Sequence, residues 1–165
     1  MCKKIFITLG SQKFQFDRLL KAVDELCKNN KINAEVFAQI GYSEYVPQNY
    51  NYEKFLDREQ FSKIMEDADI VITHGGTGAI IGAVKKRKKV IAVPRLAKYG
   101  EHVDDHQLEI VEQFKDLNLI YACSDVQDLE KALETVQKTT YGTYESNTQT
   151  IIDSIKEYLE EVKQS

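Results

Sequence analysis

Two hydrophobic spacings alternate along the chain. Short runs rich in β-branched and aliphatic residues are followed by stretches in which apolar positions return every three or four residues. The first run, over 3–9, predicts a strand, and Gly10-Ser11-Gln12 predicts a turn at its end. From Phe14 onward Phe16, Leu19, Leu20, Val23 and Leu26 share one helical face, and Asn29-Asn30 stops that helix. A strand is predicted over 34–40, broken by Gly41, and then a polar loop over 42–52 that carries four tyrosines and Pro47. A short strand follows near 52–56, and Phe61, Ile64 and Met65 mark a helix over 58–67.

The second half repeats the alternation. Residues 69–73 form an apolar run, Ala79, Ile80, Ala83 and Val84 recur at helical spacing, and 90–93 is a second run closed by Pro94. A helix over 105–117, a strand over 119–123 and a helix over 126–138, capped by Ser124 or Asp125, complete the series. Strand and helix in regular alternation predict an α/β fold: one Rossmann-like domain, a mostly parallel sheet with helices on both faces. Beyond Tyr141 a last helix, over 146–163, places Ile151, Ile152, Ile155, Tyr158, Leu159 and Val162 on one side. That stripe is open to two readings, packing on its own domain or docking onto a second protein.

Composition narrows the class. A length of 165 residues suits a single domain of roughly 100–200 residues with a real core. The net charge of −4 argues against a general nucleic-acid binder, which carries a basic excess. Cys2, Cys27 and Cys123 are far apart and form no Cys-x-x-Cys pair, so they read as reduced thiols without a disulfide or zinc role. No secretory signal is read at the N-terminus, and no run approaches the ~18–20 apolar residues of a membrane span, so a soluble, cytoplasmic chain is expected.

Chemistry concentrates between Asp69 and Glu109. The strand ending at His74 runs into Gly75-Gly76-Thr77-Gly78 and then a helix. A loop so placed aims the free N–H groups of the first helical turn at one point, where the helix dipole also favours negative charge. A phosphate fits there. After Pro94 comes a polar loop over 95–105 with His102, then His106 and Gln107 at the head of a helix. In an open α/β sheet both loops lie at the carboxyl ends of their strands, the edge where such folds bind ligands. No Gly-x-Gly-x-x-Gly follows the first strand, which argues against a dinucleotide-dependent oxidoreductase.

The segments His74-Gly-Gly-Thr-Gly78, Val90-Ile-Ala-Val-Pro94 and Glu101-His-Val-Asp-Asp-His-Gln-Leu-Glu109 together resemble the nucleotide-sugar-binding half of family 28 glycosyltransferases. Among these GT-B enzymes the chain is most similar to small stand-alone versions of that half. Those are the cytosolic subunit of the two-subunit UDP-GlcNAc transferase and bacterial capsule or exopolysaccharide subunits. The resemblance implies a GT-B C-terminal-half fold and a UDP-sugar donor whose diphosphate meets His74, Gly75, Gly76, Thr77, Gly78 and Ala79. It puts Asp105 and Gln107 at the sugar hydroxyls, with His106 between them and Glu101 or His102 nearby. It also implies inverting transfer without a divalent metal or other cofactor, and a membrane-associated partner subunit that brings a lipid-linked acceptor and most of the general base. Recruitment to the cytoplasmic face of the membrane follows from such a partner. Where many relatives carry a ribose-binding glutamate this chain has Gly82, so the ribose contact is expected to come from elsewhere.

Several of these residues carry a plainer reading alongside. Asp104 and Asp105 suit helix capping. Gly10 and Ser11 suit either a βα turn or a ligand contact, as do Gln39 and Gly41. His102 and His106, four apart, would share one face of a helix as metal ligands do, but no third ligand is evident. Residues 85–89, Lys-Lys-Arg-Lys-Lys, read as a solvated turn or a contact for anionic lipid.

Overall fold

A computed structural model defines the fold and describes residues 3–10, 12–142 and 153. Cys2, Ser11 and, Asp153 apart, the helix expected over 146–163 with its isoleucine stripe lie outside the described residues.

Six strands form one sheet: β1 (Lys3–Thr8), β2 (Ala34–Gln39), β3 (Asn51–Glu53), β4 (Ile70–His74), β5 (Lys89–Val93) and β6 (Tyr121–Ala122). Their spatial order is β3-β2-β1-β4-β5-β6, and every neighbouring pair is parallel. Among the described residues α1 (Asp17–Lys28), α2 (Arg58–Asp67), α3 (Thr77–Lys85) and α4 (His106–Asp116) lie between strands, and α5 (Leu129–Lys138) follows β6. The order reverses between β1 and β4, which makes the gap at their carboxyl ends the switch point of a Rossmann-like sheet.

Residue alternation along each strand explains the two cores. Ile5, Ile7 and Leu9 of the first strand and its end, with Ile70, Ile72, Ile91 and Val93, face α1 and α5. Phe6, Val71, Val90 and Ala92 face α2, α3 and α4. Every residue of β4 is buried, as expected of a central parallel strand covered on both faces. Phe16 and Phe114, both fully buried, anchor opposite faces, and truncating either to alanine would cost about 3–5 kcal/mol.

Boundaries differ from the sequence reading where local contacts override periodicity. β3 is three residues long and starts at Asn51, because it is an edge strand registered by Phe37 opposite Asn51. The tyrosine-rich loop before it is tied to α1 by two carboxylates on one helical face. Asp17 Oδ1 accepts from the N–H groups of Glu44 and Tyr45, both at 2.9 Å. Asp24 accepts from the Tyr45 hydroxyl at 2.5 Å and from the backbone of Gln48 at 3.0 Å and Asn49 at 2.8 Å. The helix predicted over 126–138 opens as a 3-10 turn at Val126–Asp128, capped by Asp125, before α5 begins.

The lysine-rich turn lies between α3 and β5, at the amino edge of the sheet, away from the switch point. Lys88 Nζ donates to the carbonyl of Glu66 at the end of α2, and Lys89 Nζ to those of Gln137 and Thr139 at the end of α5. Cations at helix C-termini satisfy orphan carbonyls and the dipole, so these two charges have structural work. Among the described residues no helix is long and apolar enough to cross a membrane.

Candidate functional site

Three loops meet at the switch point: the one after β1, starting at Gly10; the one after β4, through Gly75 and Gly76; and the one after β5, from Pro94 to Asp105. At their centre sits His74, the last residue of β4, buried at 5% exposure. Its ring is packed between two glycines. A Cβ at Gly10 would lie 2.6 Å from His74 Nε2, and one at Gly76 would overlap the ring. Gly10 also has φ of +72°, a backbone region that side chains disfavour. These glycines make room for an imidazole, a role that spacing along the chain does not reveal.

Gln107, in the first turn of α4, secures the arrangement. Its Oε1 accepts from the N–H of Gly75 and from the N–H of Arg95, both at 3.0 Å, and its Nε2 lies 3.3 Å from His74 Nδ1. Gly75 has no space for a side chain here, since a Cβ would come within 2.8 Å of Gln107 Cβ. Gln107 thus joins the strand ends of β4 and β5. Oε1 is filled by these two backbone donors, and the residue is 4% exposed.

Beneath lies a buried charge cluster that periodicity did not reveal. Arg95, 1% exposed, donates to the carbonyls of Leu9 at 2.7 Å, Gln15 at 3.0 Å and Phe14 at 3.1 Å, and stands over the Phe16 ring at 5.1 Å. Glu101, fully buried, receives Arg18 through two bonds at 2.9 and 3.0 Å and the Leu96 N–H at 3.0 Å. Both Glu101 oxygens are therefore occupied by donors from the chain itself. Burial lowers the Arg95 pKa to about 10 against the pull of Glu101, so the guanidinium stays charged at neutral pH. Two guanidiniums against one carboxylate leave the cluster positive, a field that favours an anion in the cleft above it.

Burial, with the positive charge of Arg95 behind it and His102 nearby, pushes the His74 pKa down to about 3. The imidazole is neutral at physiological pH. It can donate one hydrogen bond but brings no charge. The first turn of α3 lies next to it: Gly76 is the N-cap and offers no side chain, and the first intrahelical bond is Ile80 N–H to Gly76 C=O. The N–H groups of Thr77, Gly78 and Ala79 have no hydrogen-bond partner among the described residues and suit an anion.

Residues 4–162 match the glycosyltransferase family 28 C-terminal domain. The chain belongs to that family. Over 131 residues, 74% of this chain, it is 27% identical to the UDP-N-acetylglucosamine transferase subunit ALG13 of Homo sapiens. It is 36% identical over 70 residues, 42% of this chain, to the subunit of the same name from Candida albicans. The matched stretches span 11% of the human protein and 22% of the Candida one. A solution structure of ALG13 superposes with a TM-score of 0.62 at 20% identity, covering 90% of this chain and 92% of that one, and shares the fold.

Seen in this family 28 domain, the other expected site residues separate into groups. Gly75 and Gly76 pack against Gln107 and His74, while Thr77, Gly78 and Ala79 form the partly open first turn of α3. His102 stacks on Phe14 at 5.2 Å between centroids and lies 3.2 Å from Asp104 Oδ1. Asp105 accepts from the N–H of Ala97 at 2.8 Å, and Asp104 from that of His106 at 3.1 Å, so both order the loop that leads into α4. His106 stands 3.8 Å from Asp104 and 3.9 Å from Glu109. Because α4 begins at His106, His102 is not one turn before it on a helix, and the metal-ligand spacing argument lapses. No three ligating side chains converge among the described residues.

Gln39 accepts from the Thr8 hydroxyl at 3.4 Å, and Gly41, with φ of 56°, turns the chain out of β2. Gly82 is exposed with nothing within 4 Å of an added Cβ. Cys123 is buried with its thiol pushed up to about 12 by burial and neighbouring Asp128, and burial likewise raises Cys27. Neither is a reactive thiol. Arg95 had one weak signal in the sequence, a charge placed directly after an apolar strand and proline; Arg18 had none beyond its position among the apolar residues of α1.

Proposed function

We propose that this chain is the donor-binding subunit of a UDP-sugar glycosyltransferase that inverts at the anomeric carbon. The reading rests on one arrangement: a neutral, buried imidazole at His74 beside uncapped first-turn amides of α3, over a positive buried cluster. As the bond to the sugar breaks, negative charge grows on the departing nucleoside diphosphate, and preorganised N–H donors stabilise it without a metal ion. Because the relatives are UDP-N-acetylglucosamine transferase subunits, UDP-GlcNAc is the first donor to test.

The acceptor hydroxyl must lose a proton to a base. Glu101 is locked by Arg18 and His74 is held neutral but buried, so a membrane-associated partner subunit supplies most of that function and presents a lipid-linked acceptor at the cytoplasmic face. The resemblance to bacterial capsule and exopolysaccharide subunits makes capsular or exopolysaccharide assembly the proposed setting. A non-catalytic, nucleotide-sugar-binding enhancer subunit is the second reading, favoured by how many polar groups here are committed internally.

Calorimetry with UDP and UDP-sugars on the full chain, alone and with a companion subunit, tests the proposal. Binding of UDP that weakens at least tenfold in His74→Ala is the expected result; no heat with any uridine-linked sugar overturns it. In a reconstituted complex, His74→Ala abolishes transfer on the first reading and spares it on the second.

A further inference from the structure

The polar contacts around Gln107 determine where the His74 proton sits. A side-chain amide has an acceptor end and a donor end, and here their assignment is forced. Two backbone N–H groups, from Gly75 and Arg95, point at the atom that accepts them at 3.0 Å, so that atom is the oxygen. Turning the amide over would leave two buried donors facing an NH2 group, at a cost that disfavours it strongly. The remaining end, Nε2, is a donor and lies 3.3 Å from His74 Nδ1. A donor opposite Nδ1 requires a lone pair on Nδ1. A neutral imidazole holds one proton, so it is on Nε2, the atom that faces Gly10.

We propose that Gln107 is a positioning residue whose amide holds His74 as the neutral Nε2–H tautomer, presenting a donor and no lone pair to the cleft between Gly10 and Gly76. An anion there meets a hydrogen-bond donor, whereas the other neutral tautomer would oppose it with a lone pair. That the anion is a diphosphate rests on the function proposed above; the tautomer itself does not. Arg95 and His102, both on the loop after β5, are the titratable groups whose charge bears on the ring, and both oppose a second proton.

Gln107→Glu isolates the donor end. A carboxylate keeps an oxygen for Gly75 and Arg95 but sets a second acceptor against Nδ1. Nitrogen-15 imidazole spectra of the full chain, assigned with His102→Gln and His106→Gln, give the readout from about pH 8 to about pH 5. The wild type is expected to show His74 protonated on Nε2 alone throughout. Gln107→Glu is expected to move the proton to Nδ1 at pH 8 and to take up a second one as the pH falls, and to bind UDP about tenfold more weakly at pH 8. A wild-type His74 protonated on Nδ1 overturns the proposal even if the variant does not fold, and so does a variant that keeps the Nε2–H form. Should the spectra come out as expected while neither protein binds UDP, the tautomer assignment stands and the diphosphate reading fails.

Discussion

The guanidinium of Arg95 donates to the carbonyl oxygen of Leu9 at 2.7 Å, joining two loops 86 residues apart in sequence. Through the same side chain the loop after β5 holds Phe14 and Gln15, while the Arg95 backbone N–H is held by Gln107. One buried residue thereby sets the width of the cleft in which His74 lies. Arg95→Met keeps much of the volume but strands several carbonyls. Stability to urea is expected to fall by about 3–5 kcal/mol, the usual cost of removing one member of a buried charged network. Arg95→Lys should recover only part of it, because a single ammonium cannot match a planar fork.

The glycines are expected to behave unequally. Gly10→Ala meets both a φ of +72° and His74 Nε2 at 2.6 Å, and should destabilise by about 2 kcal/mol or more. Gly82→Ala sits exposed within α3 with nothing within 4 Å, and should stabilise by about 0.5–1 kcal/mol through helix propensity. Urea midpoints of the two variants check this; equal shifts would contradict the packing described for His74.

Stability should also depend on pH through His74. Its pKa falls from 6.5 to about 3 on folding, chiefly by burial, so the unfolded chain binds a proton that the folded chain refuses. The contribution is complete above pH 6.5 and is lost as the pH drops toward 3. Unfolding free energy measured between about pH 7 and about pH 5 is expected to decline in the wild type and to decline less in His74→Gln. Asp24 acts in a lower window. Burial alone would raise it, but bonds from Tyr45, Gln48 and Asn49 bring it below 3.8, so its share is lost only as the pH falls below that value.

Asp24 holds the tyrosine-rich loop from the side of α1. Asp24→Ala removes the acceptor for the Tyr45 hydroxyl and for the Gln48 and Asn49 amides. A loss of about 2–3 kcal/mol is expected, together with faster proteolytic cleavage within residues 42–50. Cleavage elsewhere, with that loop still protected, would mean that Asp17 alone suffices to hold it.

The order and type of the elements were legible because burial of a parallel sheet on both faces demands apolar runs, and amphipathic helices demand three-to-four spacing. Residues 70–74 and 89–93 announced themselves that way, and the glycines after His74 marked the turn between strand and helix. Alternation of strands and helices was enough for a parallel α/β sheet, while the order with its reversal between β1 and β4 came from pairing across the fold. The roles of Arg95, Glu101 and Gln107 were not legible. Each looks like a surface residue in a polar loop or at a helix start, and each is buried only because loops distant in sequence converge on it. The protonation of His74 belongs to the same class, since it depends on burial and on a neighbouring charge, which no spacing along a chain records. Local periodicity is a property of consecutive residues; the desolvation of a polar group depends on everything that packs around it.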